Sequence, residues 1–432
     1  MRLQLDKERL LLYLPSGYTA LKLSIVGPVK DRNLAAAIIK AVRNVELLNC
    51  RIVIDDDKVA YYETTDAKSN YKLRILTDAY WKDVIKEQES FAFDIDGGEL
   101  IRFFYLKDSV TEDNRELLIM AHPLAGDAES LLFLVKDIFL AMTGHALTPK
   151  PINMYCMQKL PHGSGLPLPL TLKLKNLCKI WEGEDEKFSY LDYLTMCGRI
   201  YKKQETFVLT EVFSKTIVDH MEEEAMKHKV SVESILQTAF FSIGRSLQLP
   251  VKLMDCLISL RTPDYESMGN YNTHIYLEDT YDETLSFMKN VEKVYAQTQE
   301  IEKDKKKKYF NLQILDNMLP DMMDGMNFDL YTMFEYSLLH DPMELMHLTN
   351  QQKNLLLSTI FDTEIPMTYG SYTIDHILYI PPLLTQARRV IGLQKQNGKI
   401  IMTLHGISGK YENPVSAYFA DVADFIKSTF EE

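Results

Sequence analysis

Residues 116–128 read ELLIMAHPLAGDA. The apolar run from Leu117 to Ala121, stopped by a proline, is the pattern of a strand covered on both faces. The strand is expected over 116–122, ending at His122. A short loop follows through Pro123 and Gly126. Leu131, Leu134, Val135, Ile138 and Met142 then recur at helical spacing, and Gly144 closes the segment, so a helix is expected over 129–143. Asp127 stands where an N-cap belongs. A strand running through a loop into a helix brings strand-end side chains and unpaired helix amides together, which makes 122–128 the first place to look for chemistry.

Working outward, 19–28 alternates and ends at Gly27-Pro28, a strand and a turn. Asp31 reads as an N-cap for a helix over 32–46. Short strands are expected near 51–54 and 58–63, a helix over 80–90, and a strand at IRFFYLK, 101–107. The acids Asp55–Asp57 and the DIDGGE stretch at 94–99 lack the oxygen-ligand spacing of a calcium loop and read as turns. LPHGSGLPLPL, 160–170, carries three prolines and two glycines and is read as the linker between two lobes. The second half is expected to hold a strand at 206–210, helices at 211–228 and 231–247, a strand at 254–260 and a helix over 282–304 closed by Lys305–Lys308. Asn397-Gly398 between apolar runs signals a hairpin. Seven methionines between 318 and 346 read as adaptable core.

The chain has 432 residues, and 46% of them are hydrophobic. That is ample apolar surface for a folded protein, and it excludes disorder for most of the length. Lys and Arg total 48 against 61 Asp and Glu, a net charge of −13, so no general field draws nucleic acid or anionic membrane. Cys50, Cys156, Cys178, Cys197 and Cys256 are scattered and odd in number, with no zinc spacing and no disulfide framework. Charges at Asp6–Arg9 interrupt the N-terminal apolar stretch, and no uncharged run reaches a membrane-spanning length. A soluble cytoplasmic protein without a metal is the expectation.

Taken in order, several segments resemble the condensation-domain branch of the CoA-dependent acyltransferase superfamily, the relatives of chloramphenicol acetyltransferase. DKERLLLYLPSG with LKLSIVGPVKDRNLAAAIIKAVRNVELLNCRIVI is similar to its first strand, helix and second strand. ESFAFDIDGGELIRFFYL resembles the segment before its catalytic strand, and ELLIMAHPLAGDAESLLFLVKDI that strand, the active-site loop and the helix behind it. LISLRTPDYESMGNYNTHIYL resembles its Arg and Gly-Asn segment, and PMTYGSYTIDHILYIPP and GKIIMTLHG its closing strands. The resemblance spans nearly the whole chain. It implies two α/β lobes with mixed sheets and packed helices, 1–160 and 176–432, joined by 161–175 and meeting in a V around a central tunnel. It further implies a CoA or phosphopantetheine thioester as substrate rather than a tightly bound cofactor. An acyl or peptidyl carrier protein, or acyl-CoA, is the implied partner, in natural-product or lipid biosynthesis. A monomer is compatible with it.

The family signature is HHxxxDG, whose second His is the general base. Here it reads His122-Pro123-Leu124-Ala125-Gly126-Asp127-Ala128. The base position is Pro123, which has no titratable group. Alternation along a strand turns His122 away from the tunnel, so His122 is either a re-aimed base or a hydrogen-bonded structural residue. Asp127 and Arg261 are the implied supporting pair. Two readings follow: a binding or interaction module without the standard base, or an acyltransferase relying on His122 or on a substrate amine. A structural subunit with a filled tunnel is a third. The other histidines form no HExxH. Asp375-His376 and His405-Gly406 read as core or edge residues unless the fold brings one to the tunnel.

Overall fold

The computed structural model describes residues 2–431 apart from 16, 66–70, 110–114, 185–187, 203–204, 247–250, 263–265, 351–354, 385–386, 388 and 410–411. Asp264, Pro263 and Tyr265 of the Arg261 segment therefore lie outside the described residues.

Two six-stranded mixed sheets carry the architecture. In the first, Thr368–Tyr369, Tyr372–Ile380, Thr19–Val26, Arg115–Ala121, Ile101–Lys107 and Tyr71–Thr77 lie side by side in that order. Only the last pair is parallel. In the second the order is Asn272–Glu278, Leu253–Ser259, Leu355–Asp362, Arg389–Gln396, Lys399–Ile407 and Thr206–Phe213, with Leu355–Asp362 parallel to both neighbours. Leu117 to Ala121 is buried throughout, as a strand covered on both faces must be. Helices Asp31–Asn44 and Ala128–Met142 cover the first sheet, burying Leu34, Ile38 and Val42 from one and Leu131, Leu134 and Ile138 from the other. Helices Lys215–His228, Val232–Ser246 and Glu412–Phe430 cover the second. The architecture is the expected mixed α/β one. Among the described residues no helix is long and apolar enough to cross a membrane.

The division at 161–175 meets two structural facts. Leu168–Trp181 is helical, since Pro169 sits in the first turn, where its missing N–H costs no bond. And Thr368–Ile380 leaves the second half to extend the first sheet, pairing against Thr19–Val26. Asp31 begins its helix from inside the first turn, with Lys30 as the flanking residue, and its carboxylate accepts from Lys107 at 2.8 Å instead of capping. The strand Thr206–Phe213 runs past residue 210, which delays the following helix to Lys215, capped by Ser214. Lys305–Lys308 is a separate short turn capped by Asp304 rather than the end of the long helix, which spans Phe287–Lys303. Asn397 and Gly398 have φ of 52° and 73°, the values of the expected type I′ hairpin.

The methionine-rich segment is core. Met318, Met322, Met323, Met326, Met343 and Met346 are buried in a third apolar cluster around Trp181. Gly325 lets Trp181 approach, because a Cβ there would lie 3.0 Å from the indole and 2.8 Å from Leu339. A seam then ties the two sheets together. Glu89 accepts from Tyr18 Oη at 2.6 Å and Thr206 Oγ1 at 2.5 Å, and Lys82 donates to the Val208 carbonyl at 3.1 Å. His405 lies inside this seam, with Nδ1 2.7 Å from the Pro381 carbonyl.

Trp181→Ala removes the centre of the third cluster. The expected loss is about 3–5 kcal/mol of unfolding free energy, measured by urea denaturation.

Candidate functional site

The backbone after Ala121 turns sharply. Ala125 N–H donates to the His122 carbonyl at 2.8 Å, and His122 N–H donates to Leu100 O at 2.9 Å. The His122 ring is fully buried. Its Nδ1 accepts the Leu124 N–H at 3.2 Å, which places the proton of the neutral ring on Nε2. Nε2 is buried without a hydrogen-bond partner among the described residues. Phe93 packs edge-on at 5.6 Å, and the Arg102 guanidinium lies 4.1 Å from that same Phe93 ring. Burial, with Arg102 adding repulsion, pushes the His122 imidazolium down to about 3. The ring is neutral at any ordinary pH and has no access to solvent.

Asp127 faces the other way and does different work. Its N–H donates to Gly269 O at 3.2 Å. Its Oδ1 caps the helix by accepting Ser130 N–H at 2.9 Å, and also accepts Arg261 Nη2 at 2.7 Å. Its Oδ2 accepts Tyr271 N–H at 3.1 Å. Arg261 Nη1 donates to Ser267 O at 2.8 Å, and its guanidinium lies 4.1 Å over the Tyr271 ring. Its Nε sits 2.9 Å from Glu129 Oε2, near enough for an ion pair but off the hydrogen-bond axis. Burial and the neighbouring Asp127 push the Glu129 carboxyl up.

Gly126 makes the approach of these two segments feasible. Its φ is +149°, and a Cβ would lie 2.5 Å from Ser130 Cβ and 3.2 Å from Gly269 N. The loop 122–128, Arg261 and the 267–271 segment are thus locked by backbone and side-chain bonds converging on one carboxylate.

Where the sequence predicts a tunnel, the described residues enclose two small cavities, of about 60 and 20 Å³. Asp127, Ala128, Leu257, Asn272 and Tyr379 line both. His122 and Pro123 line neither. Tyr379 is buried, edge-on to Phe361 at 5.0 Å, and its N–H donates to Gln394 Oε1 at 3.1 Å. The structure therefore gathers Gly126, Asp127 and Arg261 in one knot and leaves His122 on its far side.

Sequence reasoning missed Ser130, whose hydroxyl lies 2.8 Å from Asp127 Oδ1 and from Gly269 O while accepting from Arg261 at 2.8 Å. Its position three residues after a capping Asp was the available signal. Nothing in the sequence flagged Tyr379 or His274, which reach the larger cavity from strands more than a hundred residues away from the loop.

No family model matches the chain. A polyketide synthase-nonribosomal peptide synthetase of Aspergillus clavatus is 31% identical over 142 residues, 32% of this chain. The matched stretch spans 3% of that protein's length. Solved structures agree along the whole chain. The first condensation domain of the calcium-dependent antibiotic synthetase, in complex with a substrate analogue, superposes with a TM-score of 0.65 at 11% identity, covering 100% of this chain and 97% of that one. The condensation domain of the monacolin K polyketide synthase MokA gives 0.60 at 10% identity, over 99% and 97%. SgcC5 of Streptomyces globisporus, in complex with a naphthyl ethanediol and sucrose, gives 0.59 at 12%, over 99% and 98%. The chain has a condensation-domain-like fold.

Two measurements check this geometry. Arg261→Ala strands a buried carboxylate and is expected to cost about 3–5 kcal/mol; Arg261→Lys restores little of it, because a point charge cannot replace the fork. The second concerns acid. The folded His122 ring takes a proton only below about pH 3, whereas the unfolded ring does so below 6.5. Between those values unfolding binds a proton, so this contribution to stability is complete above 6.5 and shrinks as pH falls, by about 1.4 kcal/mol per pH unit. His122→Asn, whose Oδ1 can accept from Leu124 N–H, is expected to lose that slope in denaturation curves taken across the window.

Proposed function

We propose that this chain is a condensation-domain-like member of the CoA-dependent acyltransferase superfamily that acts as a binding or interaction module, without the family's histidine base. Its expected ligand is an acyl thioester on CoA or on the phosphopantetheine arm of an acyl or peptidyl carrier protein, in the cytoplasm. The observation that carries this reading is the pair His122-Pro123. Proline supplies no proton acceptor at the base position, and the neighbouring imidazole is sealed, neutral and turned from the cavities. Asp127 and Arg261 act as structural support, and Gly126 as the point of close backbone approach. Loss of a general base typically costs on the order of 10²–10⁴ in rate.

A second reading keeps the chain an acyltransferase whose nucleophile is an amine already neutral when it arrives. The intact Asp127–Arg261 knot favours it, since the scaffold that would orient two substrates persists. The sealed ring argues against His122 as the base in either case.

The test is acyl-CoA and acyl-carrier binding by calorimetry on the full chain, with transfer and hydrolysis followed alongside. Binding without turnover above background is expected, unchanged by His122→Ala. Turnover abolished by His122→Ala would overturn the proposal. Turnover to amines that rises with pH and survives His122→Ala would favour the second reading. Pro123→His is expected to raise thioester turnover above the wild-type level if a carrier thioester reaches the loop.

A further inference from the structure

A groove of about 480 Å³ opens elsewhere on the molecule, and none of the residues lining it lines the cavities beside Asp127. Three elements wall it. Lys72 and Arg74 project from one face of the strand Tyr71–Thr77, with Arg102 beside Lys72 on the neighbouring strand. The end of the helix Trp81–Gln88 and the turn after it bring Glu87 and Phe91. Leu194, Cys197, Gly198 and Tyr201 fall on one face of the helix Tyr190–Tyr201. The turn is held from beneath. Arg102 is buried and donates to Glu99 Oε1 at 2.9 Å, to the Phe91 carbonyl at 3.0 Å and to the Ala92 carbonyl at 2.7 Å.

Two features of these walls define a ligand. The first is apolar. Phe91 is 57% exposed and Leu194 39%, and apolar side chains around a concavity are the usual lining of a small-molecule site. Gly198 stands inside its helix, where glycine is destabilising relative to alanine. Among the described residues nothing lies within 4 Å of the place its Cβ would take, so no close contact requires the glycine, and the helix backbone is bare toward the groove. The second feature is charge. Lys72 donates to Glu99 and Arg74 to Glu87, each at 2.8 Å, and both keep further donors. Setting Glu87 and Glu99 against Lys72, Arg74 and Arg102 leaves one positive charge, in a chain whose net charge is −13. A monoanion complements it, and a guanidinium fork suits the two oxygens of a carboxylate. We propose that this groove binds a small aromatic monocarboxylate, its ring against Phe91, Leu194 and Gly198 and its acid on Lys72 and Arg74. The groove's volume falls in the range of roughly 300–1,000 Å³ usual for such sites. The site is independent of whether an acyl thioester binds elsewhere on the chain.

The test is ligand-observed NMR titration of the full chain with 2-naphthoate, which is expected to bind saturably. 2-Naphthylmethanol and 2-naphthylmethylamine hydrochloride keep the ring and change the charge. Both are expected to bind at least about tenfold more weakly, a difference of about 1.4 kcal/mol. Gly198→Leu fills the groove with a better helix former. It is expected to hold or raise the Tm while weakening naphthoate at least about tenfold. Arg74→Gln, at the surface, is expected to weaken it by a similar factor. Absence of saturation overturns the proposal, as does equal affinity in wild type and in either variant, or binding of the alcohol or the amine as tight as that of the acid. If Gly198→Leu lowers the Tm, Phe91→Ser takes its place, because that side chain already stands in solvent. Weaker binding by Phe91→Ser then supports the site, and unchanged affinity overturns it. Acyl-CoA titrations on the same samples report separately on the module reading.

Discussion

The carboxylate of Asp127 ties the loop 122–128 to Arg261 and to the 267–271 segment. It caps the helix behind the loop, accepts the Tyr271 amide and pairs with the Arg261 guanidinium, all while nearly excluded from water. A buried charge pair of this kind adds little net stability against a well-packed apolar alternative, because both ions must be stripped of water. Its weight lies in geometry. Removing either partner leaves a buried charge unmatched, so the loop, Arg261 and the 267–271 segment have one arrangement that satisfies both. Gly126 and Gly269, each at φ +149°, let the backbones come close enough for it.

That constraint fixes the loop by geometry alone. Asp127 and Arg261 orient backbone and helix, a task independent of whether the adjoining residue can take a proton. Among the described residues none of the bonds that make the knot falls on Pro123. His122 is then free to serve the core of the first sheet, capping the turn through Leu124 N–H against Phe93. His274 and Asn311 reach the larger cavity from the second half of the chain.

Much of this was legible in the sequence, and for identifiable reasons. The unbroken run Leu117–Ala121 marked a central strand, Asp127 a cap, and Asn397-Gly398 a hairpin, because each depends on local chemistry. What sequence could not give were relations across long separations. Thr368–Ile380 joins the first sheet from the far end of the chain, and no local pattern announces which sheet an apolar strand will choose. The proline-rich 160–170 stretch looked like a linker, yet Pro169 falls in a helix's first turn, where it is tolerated. The His274–Asp255 pair is a diagonal across two adjacent strands, Leu253–Ser259 and Asn272–Glu278, where Asp255 lies opposite Tyr276, so neither residue carries a motif.

The central claim is that the imidazole beside Pro123 is locked in a dry, neutral state and takes no part in proton transfer. It is tested most directly by following the His122 ring carbon by NMR as pH is varied, assigned with His122→Asn, with and without acyl-CoA. The account predicts a signal that stays at its neutral position throughout the region near pH 6.5 where a solvated histidine titrates, and that does not respond to the thioester. A midpoint near that ordinary value, or a shift of this ring on adding acyl-CoA, would contradict it.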